Sequence, residues 1–425
     1  MRQDICLAAN FDEKVKYMAY ITGQTTHGCC LPAKYLGNNS FVCEPDIDEL
    51  HKIHKIYNDY HAWYAKIVGR KGEKIQIRLK WPVFDPDAVS DEYKNWAYYS
   101  VDWPPFFHAL KDAMYISGDE IHWERILDAK EDGTDILMEF ELPEDISYVS
   151  ALLRYTDTNF KNLKKTVSDS KYVQKIVLGE AMDGSELESF VVTDFDVPSS
   201  EKKTAYLHAA QHCHEHPGCH VLDYMIRFLA GESEAAQKIR KRMIFRITPI
   251  VDKMGWRIGS EINPERLNSN DFNYNRDWVD FKLPETKAID AYLTSLKERG
   301  EQFVLLADLH GGTGDESDYT SGAGLTVDNT CGDEFRKYME RLVDLIRENC
   351  DYINPDEEGY GYGGSIPQMF SGYAKKKFGP GVTFEISMSK IWDREIGHRI
   401  PNSQFAFKRF GEQLACVIDK FAYEK

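Results

Sequence analysis

Two textures of apolar and polar positions divide the chain. Over residues 75–80, apolar Ile75, Ile77 and Leu79 alternate with Gln76, Arg78 and Lys80. With the preceding HAWYAKIV (61–68) and the turn-like GRKGEK, this predicts a hairpin with one buried face. EIHWERIL and ILMEFEL, around Asp132 and Gly133, predict a second. The first 145 or so residues therefore read as a small β domain, without a catalytic constellation.

Past Pro143, strand and helix patterns alternate. Asp157 or Thr158 can cap a helix through TNFKNLKKTV. KIVLGEAMDGSELESFVVTD reads as a hairpin turning at Asp183 and Gly184. The apolar run Ala205, Tyr206, Leu207 and Ala209 is strand-like, and Pro217 and Gly218 precede a helix carrying Val221, Leu222, Met225, Ile226 and Leu229. Further strands are predicted over 242–251, over FVLLADLHGG ending near His310, and over GVTFEIS around Glu385. Helices are predicted over 285–299, 333–348 and 403–421, and EEGYGYGGS reads as a loop. Buried strands alternating with helices imply an α/β fold, with a mixed, largely parallel sheet flanked by helices. Active sites of such sheets lie beyond the strand carboxyl ends. His212, His310 and Glu385 all fall at or near such ends.

The 425 residues suggest two domains, and 42% apolar with 28% charged positions suits a folded chain. A net charge of −17 argues against nucleic acid as a partner. No apolar run reaches the roughly 18 residues of a membrane span, and the N-terminal residues lack a signal-peptide core. A cytoplasmic protein without membrane association is expected. The nine cysteines show no disulfide-scaffold spacing, so reduced thiols are expected, with Cys213 and Cys219 as packing residues.

Candidate chemistry gathers at the corner between the 205–209 strand and the following helix. His212 and Glu215, three residues apart, can turn toward one point, as two ligands of one zinc ion require. The neighbouring His214 and Glu215 suggest a protease HExxH helix, but Gly218 stands where its second histidine is needed. His310 can supply a third ligand. Two imidazoles and one carboxylate leave a position for water, the open arrangement of catalytic zinc. Glu385 is the candidate base, because a carboxylate in an apolar strand is costly without a use. Its alternation with Phe384 and Ile386 also fits the exposed face of an edge strand.

The order H-x-x-E, N-R, D-L-H, F-E resembles the zinc carboxypeptidases of the carboxypeptidase A superfamily over most of residues 146–425. LLRYTDTNFKNL and LGEAMDGSELESFVVTD resemble the entry to the catalytic domain in the cytosolic carboxypeptidase branch, whose members carry a small β-sandwich domain in front. The resemblance implies a β-sandwich domain over 1–145 and a catalytic domain over 146–425. It implies one Zn2+ per chain on His212, Glu215 and His310, with Glu385 as general base. Asn275 and Arg276 would grip the terminal carboxylate of a peptide or protein tail, and Arg266 would support the oxyanion, with Arg257 as the alternative. The activity implied is removal of C-terminal residues. Lys375, Lys376 and Lys377, read as a loop, would favour acidic C-termini.

The sequence departs from the family in three places. Asn273 stands where an aspartate orients a zinc-binding histidine, leaving Asn273 or Asp271 for that task. N-P-D-G reads Asp252, Lys253, Met254, Gly255. The tyrosine that closes over substrate could be Tyr360, Tyr362 or Tyr373. Competing readings are a zinc amidase or deacylase acting on peptidoglycan stem peptides or N-acyl amino acids, and an inactive binding module. Retention of both Asn275 and Arg276 favours peptide C-termini.

Overall fold

The computed structural model describes residues 19–23, 25–28, 30–45, 63–80, 111–258, 273–312, 323–327, 332–353, 360–362 and 367–424. Strands β1 (Tyr20–Thr22), β2 (Lys34–Gly37), β3 (Ser40–Cys43), β4 (Tyr64–Val68), β5 (Lys74–Lys80), β6 (Met114–Ser117), β7 (Glu124–Arg125), β8 (Lys130–Asp132), β9 (Asp135–Glu141) and β10 (Ile146–Ala151) form two five-stranded sheets. Their orders are β1-β4-β10-β6-β7 and β2-β3-β5-β9-β8. Alternating residues of both sheets, among them Ala65 and Ile67 of one and Ile75, Ile77, Leu79, Ile136 and Met138 of the other, are buried in a cluster that continues into the second unit, the burial pattern expected of a sandwich.

The hairpin read at residues 69–74 is corrected: β4 and β5 lie in different sheets, and the turn carries the chain from one to the other. An alternating pattern says which face of a strand is buried but not which neighbour it pairs with. The hairpin at Asp132 and Gly133 joins β8 to β9. Most of EIHWERIL stays outside it, since only Glu124 and Arg125 are strand and they pair with β6. β10, at the start of the region read as catalytic, pairs within the first sheet, between β4 and β6.

The second unit centres on an eight-stranded sheet of β11 (Val173–Glu180), β12 (Glu186–Val192), β13 (Lys203–Ala209), β14 (Met243–Thr248), β15 (Gln302–Gly312), β16 (Ala323–Val327), β17 (Tyr360–Tyr362) and β18 (Gly381–Ser387). Its order is β11-β12-β14-β13-β15-β18-β16-β17. The central strands β14, β13, β15 and β18 run parallel, and antiparallel pairs flank them. A small ribbon of β19 (Lys390–Asp393) and β20 (His398–Pro401) follows. The expected mixed, largely parallel α/β architecture is the one observed. β17 lies inside the segment read as loop.

Helices cover both faces of the sheet: α1 (Asp157–Val167), α2 (His216–Ala230), α3 (Glu234–Arg242), α4 (Lys253–Ile258), α5 (Pro284–Glu298), α6 (Gly332–Asn349), α7 (Phe370–Lys377) and α8 (Gln404–Tyr423). Ala205, Leu207, Leu305 and Ala307 pack with α2, α6 and α8, while Tyr206 and Leu306 pack with α5 and α7. Burial on both faces explains why these strands read as continuous apolar runs. α1 is capped one residue earlier than read: Thr156 and Asn159 form a reciprocal capping box. Lys375, Lys376 and Lys377 are not a loop but the last turn of α7, where cations complement the helix end. Lys377 also pairs with Asp290. Among the described residues no helix is long and apolar enough to cross a membrane.

Candidate metal centre

β13 delivers the chain to the carboxyl edge of the sheet, where Ala210 adopts a φ of 54°. A residue with a Cβ rarely takes that conformation. It is held here because the backbone N–H of Asp252 donates to Ala210 O at 2.8 Å and that of Val251 to Ala209 O at 3.0 Å. The reversal turns residues 211–215 away from the strand direction and into α2. Glu215 occupies the N-cap position of that helix but makes no side-chain cap bond. Its carboxylate instead accepts the Gly311 N–H at 2.9 Å and lies 2.9 Å from His212 Nδ1. Gly311 makes room for it: a Cβ there would fall 2.9 Å from the Glu215 Cβ.

His310 arrives from the end of β15. Its Nδ1 lies 3.5 Å from Glu215 Oε2 and 3.1 Å from Asp308 Oδ2, and its ring centroid is 4.6 Å from that of His212. One donor atom from each of His212, Glu215 and His310 falls within 4.8 Å of the other two. His214 is not part of this group, although its ring stacks 6.3 Å from that of His212. His216 faces Arg154 and the Tyr155 N–H, and His220 Nε2 faces Arg154 O. Cys213 and Cys219 are buried in the core.

Burial opposes ionisation of Glu215, but His212 and His310 outweigh it and hold the carboxyl down at about 2. Burial lowers His310, yet Asp308 and Glu215 dominate and raise it to about 9. Asp308 likewise stays below the usual carboxylate range, because His310 and His208 overcome its burial. Glu385 behaves oppositely. Burial, with Glu215 and Asp308 adding to it against the pull of His310 and His212, pushes its carboxyl up to about 7. Glu385 sits directly opposite His310 in the register of β18 on β15. That position is internal to the sheet, with β16 on its other side, so the edge-strand reading of Glu385 does not apply.

The remaining sequence candidates occupy varied places. Asn275 is buried, with Nδ2 2.7 Å from His310 Nε2 and Oδ1 accepting the Phe370 N–H at 3.1 Å. Arg276 Nη1 donates to Asn275 O at 2.9 Å. Asn273 Oδ1 lies 3.3 Å from His212 Nε2, so an amide oxygen faces that ring where the resemblance implied a carboxylate. Arg257 donates to Asp183 at 2.5 Å, which occupies the alternative oxyanion arginine in a structural pair. Tyr373 donates its hydroxyl to Asp290 and packs among Trp278, Phe281 and Phe370, so it serves the core. Arg266, Asp271 and the side chains of Tyr360 and Tyr362 lie outside the described residues. Sequence reading passed over Asp308, which lies against His310, and Gln211, which donates to Asp308. The signal was present in D-L-H, since residues 308 and 310 share one strand face.

The fold is the one seen in solved metallo-carboxypeptidases, and part of the sequence resembles curated cytosolic carboxypeptidases. No family model matches the sequence. Cytosolic carboxypeptidase 6 of Caenorhabditis elegans is 31% identical over 119 residues, covering 27% of this chain and 25% of that protein. Mouse cytosolic carboxypeptidase 6 is 25% identical over 145 residues, 33% of this chain and 26% of that protein. The chain thus spans about a quarter of the length of the curated relatives it matches. Among solved structures, a metallo-carboxypeptidase from Burkholderia cenocepacia superposes with a TM-score of 0.70, covering 95% of this chain and 99% of that one at 16% identity. A Pseudomonas aeruginosa metallo-carboxypeptidase, solved in complex with (2-guanidinoethylmercapto)succinic acid, gives 0.68 over 95% and 98% at 13% identity. At these identities the likeness is one of fold, and its extent takes in both units.

Proposed function

We propose that the chain is a zinc-dependent carboxypeptidase that removes C-terminal residues from peptides or protein tails. The observation that carries this reading is the convergence of His212, Glu215 and His310 beside Glu385. The residues fit a metal: two imidazoles and a carboxylate kept ionised are the donor set of an open zinc site. The buried His310 Nδ1 makes no well-formed hydrogen bond although it faces that cluster, a cost that a bound cation would remove.

Zinc held by these three residues would polarise the scissile carbonyl and bring a water's pKa to about 7. Glu385, the registered neighbour of His310 across β15 and β18, would take the proton of the attacking water. It then hands that proton to the amide nitrogen as the C–N bond breaks. Arg276 would meet the substrate's terminal carboxylate through paired hydrogen bonds, with Asn275 beside it and Arg266 as the oxyanion's cation. The division near residue 145 belongs to this reading, and the pairing of β10 with β4 and β6 supports a boundary after Ala151. So do the cytoplasmic location and the absence of membrane and nucleic-acid partners.

A second reading, an amidase or deacylase on the same fold, is favoured by one observation. Asn275 spends both ends of its amide on His310 and the Phe370 backbone rather than on a substrate. Metal analysis tests what the two readings share. Purified protein should carry about one zinc per chain, and His212→Ala, Glu215→Ala and His310→Ala should each lose it, whereas His214→Ala should not. Full zinc in the His310 variant would refute the site.

A further inference from the structure

We propose that Asp308 is a positioning residue of the metal centre, holding His310 from the cluster side of its ring and charging the site for a divalent cation. This rests on the reading of His212, Glu215 and His310 as metal ligands. Asp308 is fully buried. Its Oδ2 lies 3.1 Å from His310 Nδ1 and its Oδ1 3.2 Å from His208 Nε2. Gln211 donates its amide to Oδ2, and the Gln211 carbonyl in turn accepts Trp278 Nε1 at 2.7 Å. The carboxylate is therefore clamped by a donor that is itself fixed.

Sheet register builds the row. His208 is the partner of Asp308 across β13 and β15, and His310 is the partner of Glu385 across β15 and β18, one step nearer the carboxyl edge. His208 is stacked at 13° on Trp278 and set edge-on to Phe370, so aromatic packing fixes the far end of the row. A carboxylate without water persists only where charge or hydrogen bonds compensate it. Here Gln211 donates to it, and His310 and His208 face its two oxygens.

The geometry departs from the usual outer-shell arrangement, in which a carboxylate grips the ligand histidine's other nitrogen. Here that nitrogen, Nε2, belongs to Asn275, and Asp308 lies on the Nδ1 side that faces Glu215. Asp308 thus limits rotation of the imidazole and adds a second negative charge beside the donor set.

The test uses the full chain with Asp308→Asn, which keeps the shape and removes the charge. Zinc affinity, read by competition with a chelator, should fall about ten- to a hundredfold. The visible absorption bands of the Co2+-loaded protein should shift, while melting of the metal-free protein should not drop. Affinity within about twofold of wild type with an unchanged Co2+ spectrum would overturn the proposal. So would lowered metal-free melting with that spectrum unchanged, the mark of a merely structural residue. If Asp308→Asn does not fold, Gln211→Met, which leaves the carboxylate but removes its fixed donor, should lower zinc affinity and shift the spectrum in the same sense; no change in either would overturn the proposal. Wild type that takes up neither Zn2+ nor Co2+ would instead defeat the metal-centre reading beneath it.

Discussion

His310 and Glu385 are registered neighbours on the parallel strands β15 and β18. The spacing between the candidate ligand and the candidate base is therefore set by sheet hydrogen bonds and by the buried residues beside them, Leu309, Phe384 and Ile386, rather than by a loop. Groups mounted on strands hold their geometry better than groups on loops. Desolvation among these neighbours, with Glu215 and Asp308 adding to it, raises the Glu385 carboxyl to about 7.

Glu385→Gln should keep its zinc and its affinity for substrate, because the amide preserves the shape of the side chain. It cannot accept a proton, so kcat should fall roughly a hundred- to ten-thousandfold. Single-turnover assays with matched zinc content would measure this. Turnover within about tenfold of wild type would place the base elsewhere.

Gly311→Ala tests the room made for Glu215. The new Cβ would meet Glu215 Cβ at 2.9 Å and Met388 Cγ at 2.9 Å, and the first neighbour, next to the backbone, has little freedom to yield. Displacing Glu215 should weaken zinc binding by about tenfold or more, with activity falling in step at limiting metal. A variant that binds zinc as tightly as wild type would mean that Glu215 is not a ligand.

Much of this was legible because burial leaves a mark on sequence. β13, β15 and β18 carry apolar residues toward two helical layers, and their ends located His212, His310 and Glu385 without a structure. What was illegible depends on pairing and side-chain direction. Nothing in the alternation of Ile75, Ile77 and Leu79 says that β5 joins a different sheet from β4. Nothing in Y-N-R-D says that Asn275 turns toward His310. The closeness of Asp308 to His208 arises from the register of two strands about a hundred residues apart, which periodicity within either strand cannot report. Lys375, Lys376 and Lys377 read as a loop because a charge run hides the end of a short helix.

Acid should destabilise the protein below neutral pH, for a reason separate from catalysis. Burial, aided by Arg154 for His27 and His216, lowers His27 to about 3, His220 to about 4, and His216 well below the ordinary 6.5. All three are depressed, so below 6.5 the unfolded chain takes up protons that the folded one refuses. Their stabilisation is complete above that value and is lost as pH falls. Glu385 has the opposite sign: raised to about 7 against an ordinary 4.5, it binds a proton in the folded metal-free protein while the unfolded carboxyl is still ionised. His310, raised to about 9, is protonated in both states at pH 5–6 and adds no slope there. Three protons less one leave about two, and the raised carboxyls of Glu285 and Asp223 reduce that further, so metal-free protein should lose up to about 3 kcal/mol per unit between roughly pH 6 and 5. Urea unfolding across that range measures the slope, and a flat profile would mean that these histidines are not held neutral.

The last prediction separates a carboxypeptidase from an amidase. If Arg276 meets a free α-carboxylate, amidating the peptide's C-terminus removes the anionic partner of that guanidinium in the complex, a loss of roughly 3 kcal/mol. Wild type should therefore prefer the free acid by about a hundredfold or more in kcat/KM. Asn275, tied to His310 and the Phe370 backbone, adds little to this preference unless substrate draws it away. Arg276→Ala should lose most of the preference by acting poorly on the free acid, with zinc content unchanged. Asn275→Ala should behave differently: because its amide touches His310, zinc affinity should fall along with turnover. A deacylase that recognises another part of its substrate need show none of this dependence on the C-terminus. Equal hydrolysis of free and amidated peptides by wild type would remove Arg276 from the carboxylate site and give the amidase reading the lead, even with the metal centre intact.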